Sequence, residues 1–112
     1  MKKKNRLAHE KDFKRLKQKG ERVVHPMAVL LFCANGLPET RTAVVASKAV
    51  GGAVVRNLIK RRLKACIDQN WDKIKTGWDL VFYSRSAIQF AEFNELCSAV
   101  QHLLQKADVW IE

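Results

Sequence analysis

A row of basic residues at helical spacing is the feature of this sequence that most directly predicts chemistry. Arg56, Lys60 and Lys64 follow one another at intervals of four, and Asn57 and Arg61 each lie one residue further along. On a helix with about 3.6 residues per turn these five side chains share one side, which we define as the basic face. Like charges four residues apart repel each other on an isolated helix. The row therefore predicts a surface for a polyanion, and a solvated helix face is the alternative interpretation.

The distribution of charge along the chain agrees with this prediction. The 112 residues include 21 Lys and Arg and 11 Asp and Glu, which gives a formal net charge of +10. Residues 1–64 hold 17 basic and four acidic side chains, whereas residues 65–112 hold four basic and seven acidic ones. A domain that gathers like charge in one half stores self-repulsion until a polyanion relieves it. Nucleic acid is the first candidate partner, and an anionic membrane surface is the second.

The remaining reactive residue types form no recognisable catalytic or metal-binding pattern. The three histidines and three cysteines are scattered, and no pair has metal-ligand or redox-motif spacing. Convergence of two histidines for acid–base chemistry is an alternative that this spacing does not favour. Three acidic pairs are interpreted as solvated: Glu10 with Asp12, Asp68 with Asp72, and Glu92 with Glu95. The cysteines are interpreted as small core residues of a cytoplasmic protein, with a reactive thiol as the alternative.

Apolar spacing and turn residues predict a single α+β domain over residues 1–112. Helices are predicted over 10–19, 53–69 and 91–106, and strands over 23–34, 41–47 and 78–85. Asn35-Gly36 predicts a turn, so the second strand is expected to lie antiparallel to the first. Residues 1–8 are expected to form a basic, partly flexible arm. No apolar run is long enough for a membrane span, and no signal peptide is expected.

The segment from Val44 to Lys64 resembles the signature of the protein subunit of bacterial ribonuclease P. In that family a strand ending in Ser-Lys precedes Gly-x-Ala-Val-x-Arg-Asn-x-x-Lys-Arg, and here Ser47-Lys48 precedes Gly51 to Arg61 in that pattern. The similarity continues elsewhere in the chain, at Asn5-Arg6-Leu7, Asp12-Phe13, Trp78 to Val81, and Ser84-Arg85. The resemblance therefore covers nearly the whole sequence.

The resemblance implies a fold with the order αβββαβα. Its sheet is expected to be four-stranded and mostly antiparallel, with a left-handed β-α-β crossover, as in folds similar to ribosomal protein S5 domain 2. The residues themselves predict three strands. The fourth is expected from splitting or extending the first or second predicted strand.

The resemblance also implies an activity in which this chain is a subunit. The family's RNA subunit carries the Mg²⁺-dependent endonucleolytic removal of the 5′ leader from precursor tRNA. The implied partners of the protein are that catalytic RNA and precursor tRNA, with Mg²⁺ held mainly by the RNA and the substrate. No catalytic or metal-binding residue is assigned to this chain, and no membrane partner is expected.

The family pattern suggests two sets of RNA-binding residues. The set expected on the catalytic RNA is Lys48, Arg56, Asn57, Lys60, Arg61, Arg62 and Lys64. The set expected on the leader, in a cleft between the sheet and the first helix, is Arg6, Phe13, Lys17 and Leu31. Core packing is the alternative for Phe13, and ordinary surface charge is the alternative for Arg6 and Lys48.

Several positions depart from the family pattern. Ala49 and Leu58 stand where a basic residue is usual, and Arg62 lies one helical turn beyond Leu58. Lys17 and Leu31 stand near positions that are aromatic in the family. Three other functions remain open from sequence: a structured-RNA-binding protein of ribosomal type without a role in cleavage, a protein-only nuclease, and a membrane-surface protein.

Overall fold

Between residues 5 and 112, three helices and four strands follow one another in the order αβββαβα. The structure is a computed structural model, and it describes residues 5–112. The helices are α1 (Glu10–Lys19), α2 (Ala53–Gln69) and α3 (Phe93–Lys106). The strands are β1 (Glu21–Val24), β2 (Ala28–Ala34), β3 (Arg41–Val45) and β4 (Trp78–Ser84). Short 3₁₀ turns lie at Lys48–Val50, Trp71–Lys73 and Ser86–Phe90. The element order and the single α+β domain are confirmed.

The first predicted strand is two strands joined by a tight turn. His25, Pro26 and Met27 separate β1 from β2, and the backbones of His25 and Ala28 hydrogen-bond to each other across the turn. Proline has no N–H for a sheet ladder, so the chain reverses direction there. The fourth strand therefore arises because the strand predicted over 23–34 is split in two, which was one of the two expected origins.

The predicted hairpin pairing between the strands over 23–34 and 41–47 is wrong, although β3 does run antiparallel to β2 as expected. The strand order is β1-β2-β4-β3, so β3 lies at the far edge of the sheet and pairs with β4 in parallel rather than with β2. The β1–β2 and β2–β4 pairs are antiparallel, so the sheet is mixed rather than mostly antiparallel. The reason lies in β4, whose Leu80, Val81 and Phe82 are all fully buried. A strand that is apolar on both faces belongs in the middle of a sheet.

Helices α2 and α3 cover one face of the sheet and form the main core. The sheet contributes Leu30, Leu80 and Phe82 to this core, and the helices contribute residues at helical spacing, including Leu63 and Leu103. Helix α3 begins two residues later than predicted because Glu92 caps it: its backbone N–H donates to the Glu95 side chain at 3.2 Å. This capping box satisfies backbone N–H groups at the start of α3 that have no partner within the helix.

The cysteines differ from their interpretation as separate core residues. Cys66 of α2 and Cys97 of α3 form a disulfide, with their Cα atoms 5.0 Å apart. Cys33 of β2 is a free thiol and is half-buried. Spacing along the sequence could not show the pair because 31 residues separate its two members.

Helix α1 covers part of the opposite face of the sheet, which we call the α1 face. Leu16 is fully buried there with Leu7 and Val81. Gly20 follows the helix, as predicted, but it has an ordinary φ of −76°. Its role is to save space, since a Cβ there would lie 2.4 Å from the Leu16 carbonyl oxygen. The chain therefore turns directly from α1 into β1.

Part of the predicted N-terminal arm contacts the sheet. The Asn5 side chain is buried and donates to the Thr40 carbonyl oxygen at 2.9 Å. Arg6 forms a bridge with Thr42 beside β3, and the Leu7 N–H donates to the Thr42 carbonyl oxygen at 2.8 Å. Residues 1–4 of the predicted arm lie outside the described residues.

Two of the scattered histidines come together, although their sequence positions gave no sign of it. The rings of His25 and His102 lie 5.7 Å apart, edge to face. The Met27 N–H donates to His25 Nδ1 at 3.1 Å. Burial, together with neighbouring His102 and Lys106, lowers the pKa of His25 below its usual value of 6.5.

This lowered pKa predicts a loss of stability at mildly acidic pH. The folded state favours the neutral His25 ring, so the unfolded chain binds more protons once the pH falls below about 6.5. The free energy of unfolding should fall as the pH drops through the unfolded pKa and level off below the folded one. His25→Gln should give a shallower pH dependence of the free energy of unfolding, measured by urea titration at a series of pH values. Equal slopes for His25→Gln and the parent would contradict the prediction.

Candidate nucleic-acid interface

The basic face of α2 is accessible along its length. Asn57 and Arg61 are exposed, and Arg56, Lys60 and Lys64 are half-buried. Within residues 5–112, no ion pair or side-chain hydrogen bond joins any of these five to another residue. The adjoining side of the helix is committed to the core through Ile59, Leu63, Cys66 and Ile67, which is why Arg56, Lys60 and Lys64 are partly covered. The face thus presents four cations and an amide without an acidic partner in the described part of the chain.

The start of α2 extends this surface toward the end of β3. Lys48 is exposed in the 3₁₀ turn that connects the two elements, and the helix begins after Gly52 without an acidic residue in its first turn. Gly51 has φ of +150°, and a Cβ there would lie 3.0 Å from the Val55 side chain. A residue with a side chain would be strained in this turn. The glycine therefore fixes the turn that brings Lys48 and the first turn of the helix together.

A groove lies on the part of the α1 face that the helix does not cover. Its volume is about 600 Å³, and it is lined by Lys17, Gly20, Arg22, Val29, Leu31 and Tyr83. The floor is apolar, because Val29 and Leu31 of β2 lie beside Tyr83 of β4. Two cations, Lys17 from α1 and Arg22 from β1, lie at its rim, and both are exposed. Burial raises the pKa of the Tyr83 phenol, so this group keeps its proton at neutral pH.

The chain that carries this basic face and this groove is similar to proteins of one known family. The family model described as Ribonuclease P matches residues 1–108. The chain belongs to the ribonuclease P protein family. It is therefore a protein subunit of ribonuclease P, a ribonucleoprotein endoribonuclease of tRNA processing, and it has an RNA partner.

Individual members of the family are similar over almost their full length. The ribonuclease P protein component of Herpetosiphon aurantiacus is 33% identical over 110 residues, covering 98% of this chain and 89% of that protein. Its counterpart in Clostridium botulinum (type Ba4) is 35% identical over 109 residues, covering 96% and 98%.

Solved structures of the family share the same architecture. The RNase P protein of Staphylococcus aureus has a TM-score of 0.87 at 26% identity, covering 95% of this chain and 97% of that one. The protein from Thermotoga maritima has a TM-score of 0.83 at 26% identity, covering 90% and 96%. The expectation of the family's fold is therefore confirmed, with the mixed sheet as its one correction.

The structure of this family member separates the four residues expected on the leader. Lys17 and Leu31 line the groove together. Phe13 is half-buried and packs with Leu31 against the apolar cluster under α1, so it has a core role while keeping part of its ring accessible. Arg6 is exposed beside β3, at the other edge of the sheet from β1, and does not line the groove.

The position on α2 that departs from the family pattern, Leu58, lies at the protein surface. Leu58 is 37% exposed, and Arg62, one turn further along, is half-buried. Within residues 5–112 the Arg62 guanidinium makes no ion pair. Arg62 therefore supplies a cation near the place where Leu58 replaces the family's usual one.

Sequence reasoning missed part of the groove and the ion pairs beside it. Arg22, Val29 and Tyr83 come from three different strands, and only the strand register places them together. Asp79 is fully buried in β4 and accepts hydrogen bonds from Arg15 and Arg41. The sequence did contain one signal for these ion pairs. Asp79 is a carboxylate within the otherwise apolar run from Trp78 to Phe82, and a buried carboxylate needs a charged or hydrogen-bonding partner.

Neither a metal centre nor a membrane span is found in the described part of this ribonuclease P subunit. Across residues 5–112, no three His, Cys, Asp or Glu side chains form a group that could hold a metal ion. No helix in the same range has the length and apolar character that a membrane crossing requires.

Proposed function

We propose that this chain binds the catalytic RNA of ribonuclease P through the basic face of α2 and binds the 5′ leader of precursor tRNA in the groove. The observation that carries the proposal is the unpaired state of the basic face. Four cations lie on one side of a helix, and no acidic side chain of the described residues neutralises them. Phosphates of a folded RNA relieve that repulsion and release condensed counterions.

The roles proposed for individual side chains follow from their chemistry. Arg56, Lys60, Arg61 and Lys64 meet backbone phosphates, and Asn57 uses its amide on phosphate or ribose. Lys48 and Arg62 extend the contact at either side of this row. Such contacts position an RNA without reading its sequence.

The groove suits a single strand better than a duplex. Its apolar floor and the partly accessible Phe13 ring offer surfaces on which unpaired bases stack, and Lys17 and Arg22 lie where a backbone phosphate would pass. The sheet separates the groove from α2, which packs on the opposite face. One protein thereby contacts two RNA segments at once and offsets the repulsion between them. Arg6, beside β3, is proposed to meet a phosphate outside the groove.

We propose that the RNA subunit, and not this chain, carries out the cleavage of the precursor tRNA backbone. Mg²⁺ is held mainly by the catalytic RNA and the substrate, while this chain supplies binding, positioning and positive charge. Cleavage of the leader matures the 5′ end of tRNA, and we place this step in the cytoplasm.

Reconstitution with ribonuclease P RNA tests this assignment. The protein should restore cleavage of precursor tRNA at a Mg²⁺ concentration at which the RNA alone is inactive. Purified protein without RNA should leave the same substrate intact. Failure to stimulate cleavage would indicate a structured-RNA-binding protein of another kind, and cleavage by the protein alone would indicate a nuclease. Either result would overturn the proposal.

Removing the two rim cations should weaken binding of the leader selectively. The double variant Lys17→Gln/Arg22→Gln should lose affinity for precursor tRNA by roughly tenfold near physiological salt, since each lost phosphate contact accounts for a few-fold. Its affinity for mature tRNA, which lacks the leader, should stay unchanged. Lys11→Gln/Lys14→Gln, two exposed cations of α1 outside the groove, is the matched control. Equal losses in both double variants would point to general charge rather than to the groove.

A further inference from the structure

Asp79 joins three parts of the fold through its carboxylate. The side chain is fully buried in the central strand β4. Arg41 of β3 donates to it through Nε at 2.9 Å and Nη2 at 2.7 Å, and Asn35 donates through Nδ2 at 3.0 Å. Arg15 of α1 donates to the same carboxylate. The hydrogen bond from Arg41 to the Asp79 carboxylate raises the pKa of the Arg41 guanidinium.

A second ion pair also joins this cluster to α1. Arg41 also donates to Asp12 of α1 at 3.3 Å. Asp12 and Arg15 are three residues apart and therefore lie one turn apart on the helix surface. Pinning a helix at two points on one side fixes its rotation about its own axis as well as its distance from the sheet.

Apolar packing alone holds α1 weakly. The helix has ten residues, of which Leu16 is fully buried and Phe13 is half-buried in the same apolar cluster. Helices of this length are marginal in water and depend on tertiary contacts. The ion pairs that join α1 to buried Asp79 and half-buried Arg41 therefore contribute much of the free energy that holds the helix on the sheet.

The same contacts also determine the position of one wall of the groove, the side formed by α1. Arg15 also donates to the Ala34 carbonyl oxygen at 3.2 Å and contacts Cys33 Sγ at 3.5 Å, at the end of β2. Lys17, two residues after Arg15, and Gly20 form the α1 side of the groove, and Leu31 of β2 lies on its floor. A shift of α1 would change the distance between this wall and the floor.

We propose that Asp79 is a positioning residue that, through Arg15 and Arg41, sets where α1 stands on the sheet and so shapes the groove for a single RNA strand. This inference rests on the proposed leader-binding role of the groove. Asp79 touches no RNA in this proposal and acts only through the two arginines.

Arg15→Gln tests the inference most directly, because Asp79 keeps Arg41 and Asn35 as partners and stays satisfied in the buried site. Lys14→Gln, at an exposed neighbouring position, removes the same charge without touching Asp79. Amide hydrogen exchange in α1 should become on the order of tenfold faster in Arg15→Gln, the loss expected for a charged hydrogen bond. Lys14→Gln should exchange like the parent. Unchanged exchange in Arg15→Gln would overturn the inference whatever the groove binds.

The second measurement uses the complex reconstituted with ribonuclease P RNA. Affinities are compared for precursor tRNA with a leader of about ten unpaired nucleotides and for the same tRNA without a leader. Arg15→Gln should lose most of the preference for the leader while keeping its affinity for tRNA without one, and Arg15→Lys should recover part of it. A full preference in Arg15→Gln would overturn the positioning role. No preference in the parent would instead overturn the proposed leader site, while the exchange data would still decide whether Asp79 holds α1.

Discussion

The double variant Arg56→Gln/Lys60→Gln should bind ribonuclease P RNA roughly 30-fold more weakly at about 0.15 M salt, because each lost phosphate contact accounts for about fivefold under those conditions. The slope of log affinity against log salt should become shallower by about two units. Both side chains lie on the basic face and are half-buried. Filter binding or fluorescence titration across a salt series measures both quantities.

The control for this prediction lies on the other side of the sheet. Lys11→Gln/Lys14→Gln removes two exposed cations from α1 and so lowers the net charge by the same amount. If RNA binding depends on the basic face, this control should change affinity for the catalytic RNA only slightly. Equal losses for the two double variants would show that net charge, rather than the row on α2, determines affinity. An unchanged salt slope in Arg56→Gln/Lys60→Gln would remove the row from the interface.

The basic helix was predictable because every signal for it is local. Its apolar residues repeat at helical spacing, Gly51 and Gly52 precede its start, and its charges repeat at intervals of four. The structure begins the helix at Ala53 and ends it at Gln69, as the sequence predicts. Such short-range spacing can be recognised without knowing which strands pair with each other.

Pairing between distant elements was not predictable in the same way. The turn residues Asn35-Gly36 favour a hairpin, but β4 takes the place beside β2 because its side chains are buried on both faces. Residue Asp79 shows the same limit, since its partners Arg41 and Arg15 are 38 and 64 residues away. The groove likewise needs the correct register of β1, β2 and β4 before its lining residues can be known.

Phe82→Ala should lower the free energy of unfolding by about 3–5 kcal/mol, the usual loss when a buried aromatic side chain is removed. The ring is fully buried at the centre of β4, among the residues that α2 and α3 cover. A loss of this size is a large part of the total stability of a small domain. Phe90→Ala is a matched control, because that ring is 82% exposed and its removal should change stability by less than about 0.5 kcal/mol. Urea titrations of both variants at one pH provide the comparison. Similar midpoints for the two variants would mean that β4 is not an inner strand of this sheet. The sheet would then not separate the groove from the basic face of α2.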